Sequence, residues 1–263
     1  MRIRVPVAAL AAATIVAFVA SPAAAEDFAS APAKAATSTA RLLSAGTAES
    51  GVQIAGVEIA LAPGAVTYWR SPGEAGSPPV FDFSRSVNVA AVEPAYPTPR
   101  HFEEEGSVVA GYDGKVIFPL RVTPRDPKAP VTLDLALDYA ACGKICLPAK
   151  AHLTLALTAP GASPYTQALA LAQASVPRKA SAEETKKLLT LEKRGEKHWA
   201  LRWRGRDKVA DVFAEAVEPA FLESVKAGDG YELKLTSRDP VPAPATITVV
   251  TEKGAIEAAV RLE

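Results

Sequence analysis

The sequence predicts an all-β protein: a β-sandwich, then a short helical linker, then a second, smaller β domain. Three observations predict it. Short runs of alternating apolar and polar residues recur from Val52 to Leu157, separated by turn residues. Twenty-two prolines punctuate a chain with few long helical periods. Helix start and stop signals gather in one place, between Ser163 and Gly195.

The elements follow in order. Residues 26–50 are rich in Ala, Ser and Thr without periodicity, so a flexible arm is expected there. Val52, Ile54, Val57, Ile59 and Leu61 nearly alternate, with Gly56 expected at a bulge. Pro63-Gly64 is a turn, Val66 to Arg70 a second strand, and Ser71 to Pro79 a rigid loop. Phe81, Phe83, Val87 and Val89 continue in strand rhythm. A proline-rich connection ends in His101-Phe102-Glu103-Glu104-Glu105-Gly106. Val108–Tyr112 and Lys115–Val122, joined by Asp113-Gly114, read as a hairpin. Val131, Leu133, Leu135 and Leu137 alternate strictly, a strand with one buried face that ends near Tyr139 and Cys142. Leu153, Leu155 and Leu157 close the set. Seven to nine strands within about 110 residues suit a sandwich.

Beyond it, Ser163 as N-cap residue and Pro164 in the first turn open a helix that Pro177 closes. Ser181-Ala182-Glu183-Glu184 is a capping box for a second helix, expected to run to Gly195. Five further strands are expected around Trp199–Trp203, Val209–Phe213, Tyr231–Leu235, Ile247–Val250 and Ile256–Val260. Trp199 and Trp203 share a strand face and are expected to fill that second core. The expected division is residues 1–25, 26–50, 51–160, 161–195 and 196–263.

The first 25 residues read as a secretory signal. Arg2 and Arg4 precede an apolar run, and Ala23-Ala24-Ala25 supplies the cleavage pattern. An exported, soluble, periplasmic protein is expected, without stable membrane insertion once the signal is removed. Of 29 Lys and Arg, loss of Arg2 and Arg4 leaves 27 against 29 Asp and Glu. Near neutrality argues against nucleic acid as a partner.

Chemistry concentrates in Asp138-Tyr139-Ala140-Ala141-Cys142-Gly143-Lys144-Ile145-Cys146-Leu147-Pro148, which holds both cysteines of the 263 residues. A staple across so short a loop restrains the unfolded chain by only ~2 kcal/mol. Lys144 places a positive charge beside both sulfurs, which favours thiolate and exchange. A redox-active couple is the leading reading, beside a structural disulfide and half a metal site. The metal reading lacks two ligands, since His101, His152 and His198 do not have zinc-site spacing. No cofactor or metal is expected. Plainer readings stand beside the functional ones: Lys144 as a solvated loop residue, Tyr139 and Trp69 as core, Glu103 to Glu105 as a solvated acidic run, and His152 as a surface residue.

Tyr68-Trp69-Arg70-Ser71-Pro72-Gly73-Glu74-Ala75-Gly76, then Pro78-Pro79, Phe118-Pro119-Leu120 and Tyr139-x-x-Cys142-x-x-x-Cys146-x-Pro148 together resemble the DsbD amino-terminal domain family, including its ScsB-like branch. The likeness runs from about Val52 to Pro160. It implies an immunoglobulin-like sandwich whose pair, here Cys142 and Cys146, shuttles electrons. The implied partners are a membrane-embedded thiol reductant and periplasmic thioredoxin-fold proteins. The family also shields its pair with a cap loop, and Phe102, Glu103, Glu104, Glu105 and Gly106 occupy the matching place, with Tyr139 and Lys144 as further candidates for shielding or tuning. Two departures stand out. DsbD proper separates its cysteines by five residues, here three, and this chain carries neither a transmembrane core nor a thioredoxin-like domain. The alternative is a non-catalytic β-sandwich that binds a partner as a scaffold, with a structural disulfide. Oligomeric state, the donor, the client and the attacking cysteine are not legible.

Overall fold

The computed structural model describes residues 28–46, 51–104, 106–157, 161–217, 220–236 and 243–263. The signal segment and Glu105 lie outside them. The first half is β1 (Ala33–Lys34), β2 (Ser38–Ser44), β3 (Gln53–Leu61), β4 (Val66–Tyr68), β5 (Val80–Asp82), β6 (Val89–Pro94), β7 (Arg100–Glu104), β8 (Ser107–Asp113), β9 (Lys115–Pro124), β10 (Thr132–Cys142) and β11 (Cys146–Ala156). One sheet runs β1-β2-β3-β9-β6; the facing one runs β11-β10-β4-β8-β7, with β5 also paired to β10. Strict alternation in β10 and β11 turns Leu133, Leu135, Leu137, Leu153 and Leu155 inward, against Leu42, Val57, Phe118 and Leu120 of the other sheet. The result is the β-sandwich that the pattern predicted, of the immunoglobulin-like kind that the resemblance implied.

Three local expectations are corrected. The described part of the expected arm contains two strands, β1 and β2, and β2 pairs with β3, Leu42 opposite Val57. Its alternating buried positions include Ser38 and Ala40, too small to give a strong hydrophobic period. Gly56 is not at a bulge. Its register is regular on both sides, and what it provides is room, because a Cβ there would meet Leu169 Cδ2 at 2.5 Å. The expected Val108–Val122 hairpin is instead a corner: β8 lies in one sheet and β9 in the other, the chain crossing at Gly114 with φ 62°. The true hairpin partner of β8 is β7, with Glu104 opposite Ser107.

Next come α1 (Thr166–Ala174), β12 (Arg178–Lys179) and α2 (Ala182–Leu188). Ser163 does not cap α1 as its N-cap residue; that place is Tyr165, whose N–H donates to Ser163 Oγ at 3.0 Å. Ser181 does cap α2, accepting from Glu184 N at 3.2 Å. This helix stops at Leu188 rather than Gly195. Residues 189–195 become β13, because Leu189 and Leu191 can pair across the sheet with Trp203 and Leu201. The rest is β14 (His198–Trp203), β15 (Val209–Ala216), β16 (Phe221–Ala227), β17 (Gly230–Thr236), β18 (Ala243–Thr251) and β19 (Gly254–Leu262). Two four-stranded sheets result, β12-β19-β18-β15 and β13-β14-β17-β16, where five strands were expected. Trp199, Leu201, Leu233, Ile247 and Val249 fill the core between them. Among the described residues no helix is long and apolar enough to cross a membrane.

The two sandwiches meet through side chains of β15. Phe213 belongs to the first core and meets Trp69 edge-on at 5.6 Å between ring centroids. Arg70 binds Glu215 through two nitrogens, each at 2.7 Å, and also reaches Glu257.

Candidate functional site

The site is the closed end of the β10–β11 hairpin. Cys142 and Cys146 are the last cross-strand pair before the Gly143-Lys144-Ile145 tip, with Cα atoms 3.9 Å apart and the sulfurs bonded. The two sulfurs have different surroundings. Cys142 also pairs with Val66 of β4 and is 1% exposed, whereas Cys146 stands exposed on the edge strand β11. Ile145 beside it is 71% exposed.

Cys142 sits in a small cluster with Tyr68 and Val109, against which Phe102 and Ala140 pack. The Tyr68 hydroxyl is 2.9 Å from Cys142 Sγ and 3.4 Å from Cys146 Sγ. It donates to Glu104 Oε2 at 2.6 Å. One hydroxyl carries one proton, so Tyr68 can serve the carboxylate or a sulfur, not both at once. A hollow of about 530 Å³ opens beside the pair, lined in part by Pro63, Gly64, Phe102, Glu104, Cys142 and Gly143. Arg100 lies 5.5 Å from the centroid of the Phe102 ring and binds Asp113 of β8 at 3.1 Å.

The expected residues divide. Phe102 and Glu104 lie on one face of β7 and reach the pair, while Glu103 is exposed at the rim of the hollow. Lys144 is exposed at the hairpin tip. Tyr139 is the correction: it faces the opposite side of β10, in the sandwich core, with its hydroxyl 2.8 Å from Ser38 Oγ. Strand alternation separates it from Cys142, three positions on. Burial raises the pKa of this phenol, and the Ser38 bond opposes the rise. His152 binds Asp134 on the exposed face. Sequence reasoning missed Tyr68 as a site residue. It lies 74 positions before Cys142, and only the β4–β10 pairing brings them together.

Donor atoms of Glu104, Cys142 and Cys146 lie within 4.8 Å of one another. Bonded sulfurs offer no thiolate ligands, and three donors fall one short of a structural zinc site. What the arrangement can do directly is thiol–disulfide exchange: an accessible sulfur in front, a buried one behind, and a phenol–carboxylate pair beside both.

Residues 37–158 match the family model described as thiol:disulfide interchange protein DsbD, N-terminal. The DsbD amino-terminal family resemblance is thereby shown over the segment that holds the sulfur pair. The crystal structure of the N-terminal periplasmic domain of ScsB from Proteus mirabilis is similar in fold, with a TM-score of 0.72 at 20% identity, covering 90% of this chain and 98% of that one. That likeness extends across both sandwiches. No curated protein matches the chain. The DsbD-like segment thus carries a cysteine pair in a thiol–disulfide interchange fold.

Proposed function

We propose that the protein is a periplasmic thiol–disulfide interchange component, passing electrons through Cys142 and Cys146 from a membrane-embedded thiol reductant to thioredoxin-fold clients. The unequal exposure of the two sulfurs carries the reading. In the reduced form the Cys146 thiolate attacks a client disulfide. The client bond breaks, one client sulfur leaves as thiolate, and a Cys146–client mixed disulfide forms. Cys142 then gives its proton to the Tyr68 oxygen as Tyr68 passes its own to Glu104. The Cys142 thiolate attacks Cys146 Sγ, and the second client thiolate leaves. The client gains two electrons, and the Cys142–Cys146 bond returns. A donor thiolate reopens it by attack at Cys146, with Cys142 leaving and taking a proton back by the same route; the donor's second thiolate then attacks the donor sulfur of that mixed disulfide, Cys146 leaves as thiolate, and the donor departs oxidised. Phe102 is the cap over the buried sulfur, and Lys144 attracts thiolate partners at the tip. Export is supported by the amino-terminal pattern and by the periplasmic origin of the similar ScsB domain.

The test is to trap the intermediate. Cys142→Ser should accumulate mixed disulfides through Cys146 with thioredoxin-fold proteins, and Cys146→Ser far fewer. Wild-type protein inert to such partners in both oxidation states would leave the scaffold reading, in which the disulfide is structural.

A further inference from the structure

The cap strand β7 is held on both faces, by different parts of the molecule. Phe102 points to Cys142. Its neighbour His101 points the other way, as alternation requires. The His101 ring stacks on Phe213 with centroids 4.3 Å apart, and its Nδ1 lies 3.0 Å from Asp211 Oδ2. Both partners belong to β15 of the second sandwich.

β15 is built for this. Val212 and Ala214 face the second core, while the alternate residues Asp211, Phe213 and Glu215 form a stripe toward the first sandwich. A register shift between Val209 and Asp211 lets the strand turn Asp211 to that side, and Asp211 Oδ1 accepts from Val212 N at 2.8 Å, which fixes its carboxylate. Glu215 at the far end of the stripe holds Arg70, next to the strand that carries Tyr68. By contrast, within its own sheet β7 is an edge strand, hydrogen-bonded among the described strands only to β8. An edge strand with one ladder can part from its sheet more cheaply than an inner one.

We infer that the second sandwich sets how readily the cap opens: the Asp211–Phe213 stripe holds His101, and through the shared backbone of β7 keeps Phe102 on Cys142. His101, Asp211 and Phe213 are positioning residues, and their effect is on access to the disulfide. This rests on the reading of Phe102 as a cap.

The experiment uses the oxidised, signal-free full chain. Reduction of the Cys142–Cys146 bond by excess dithiothreitol is timed for wild type, His101→Ala, Asp211→Ala, the double variant, His101→Phe and Phe102→Ala. Hydrogen exchange of the β7 amides is measured alongside that of Leu135 in β10. His101→Ala should react roughly three- to tenfold faster, the factor that aromatic-pair energies correspond to. The double variant should be no faster than His101→Ala alone, and His101→Phe, which keeps the stack, should stay close to wild type. Exchange in β7 should rise while Leu135 holds, and the reduction potential should not move. If Phe102→Ala reacts faster and His101→Ala does not, the proposal is overturned and the cap stands. If neither reacts faster, the cap reading falls and this proposal with it. If β7 and Leu135 exchange rise together, the variant has loosened the whole fold, which also overturns the proposal.

Discussion

The Tyr68 hydroxyl lies 2.9 Å from Cys142 Sγ and 2.6 Å from Glu104 Oε2, so one phenol joins the buried sulfur to a carboxylate. Tyr68 is 1% exposed and packs with Val109 and Cys142, which leaves its ring little freedom.

Tyr68→Phe keeps the ring and removes the proton route. Reduction of the oxidised protein by a small thiol should slow by about tenfold or more, the lower range of general acid catalysis. Stability should fall by about 1 kcal/mol for the lost hydrogen bonds. Stopped-flow reduction and urea unfolding measure the two effects, and a rate within twofold of wild type would sink the relay.

Glu104→Gln tests the charge. A carboxylate near two sulfurs disfavours their thiolate forms. Its neutral replacement should move the pH–rate profile of alkylation of the reduced protein toward lower pH. The check is iodoacetamide labelling across a pH series, and a profile that stays put or moves to higher pH contradicts the expectation.

Arg70 joins the sandwiches. Burial alone would lower its pKa, but hydrogen bonds and charge from Glu215, then Glu257, hold it above its ordinary value. It also lies 4.8 Å from the centroid of the Trp69 ring. Arg70→Leu leaves Glu215 and Glu257 facing each other with side chains only 14% and 15% exposed. The cost should be about 2–4 kcal/mol, slightly under the range for fully buried pairs because Arg70 is partly solvated. Denaturant unfolding reads it. Replacing both Glu215 and Glu257 by Gln in the Arg70→Leu background should recover part of the loss, and no recovery would mean that charge is not the cause.

Gly56 is the seat of α1. A Cβ there would stand 2.5 Å from Leu169 Cδ2 and 2.9 Å from Ile117 Cγ2. Gly56→Ala should cost about 1–2 kcal/mol, since two flexible side chains must move. Adding Gly56→Ala should cost less in a Leu169→Ala background than in wild type, because only the Ile117 contact then remains. Thermal or urea unfolding of the three variants decides it, and a fully stable Gly56→Ala would show that the helix does not seat there.

Local pattern was enough for much of this. The alternation of Leu133, Leu135 and Leu137 determines which side of β10 is buried, because side chains on a strand have period two. The crowding of both cysteines into one short run marks the site, because that is composition alone. The Ser181 cap was legible because the residues involved are three apart.

Residues 189–195 were read as helix and are strand, because partners across the sheet outweigh a local capping signal. β8 and β9 have the sequence of a hairpin, yet the chain turns a corner between sheets at Gly114, and no local term distinguishes the two. Tyr68, Glu104 and Cys142 come from three strands, and His101, Asp211 and Phe213 from two sandwiches.

By itself, then, the sequence determined the strand-rich class, the buried faces and the sulfur pair, since all of these depend on neighbours a few residues apart. Which sulfur is exposed, what stands beside the other, and what holds the cap strand were decided only by tertiary packing. Those contacts span from 36 residues, for Tyr68 and Glu104, to 112, for His101 and Phe213, and no local period encodes them.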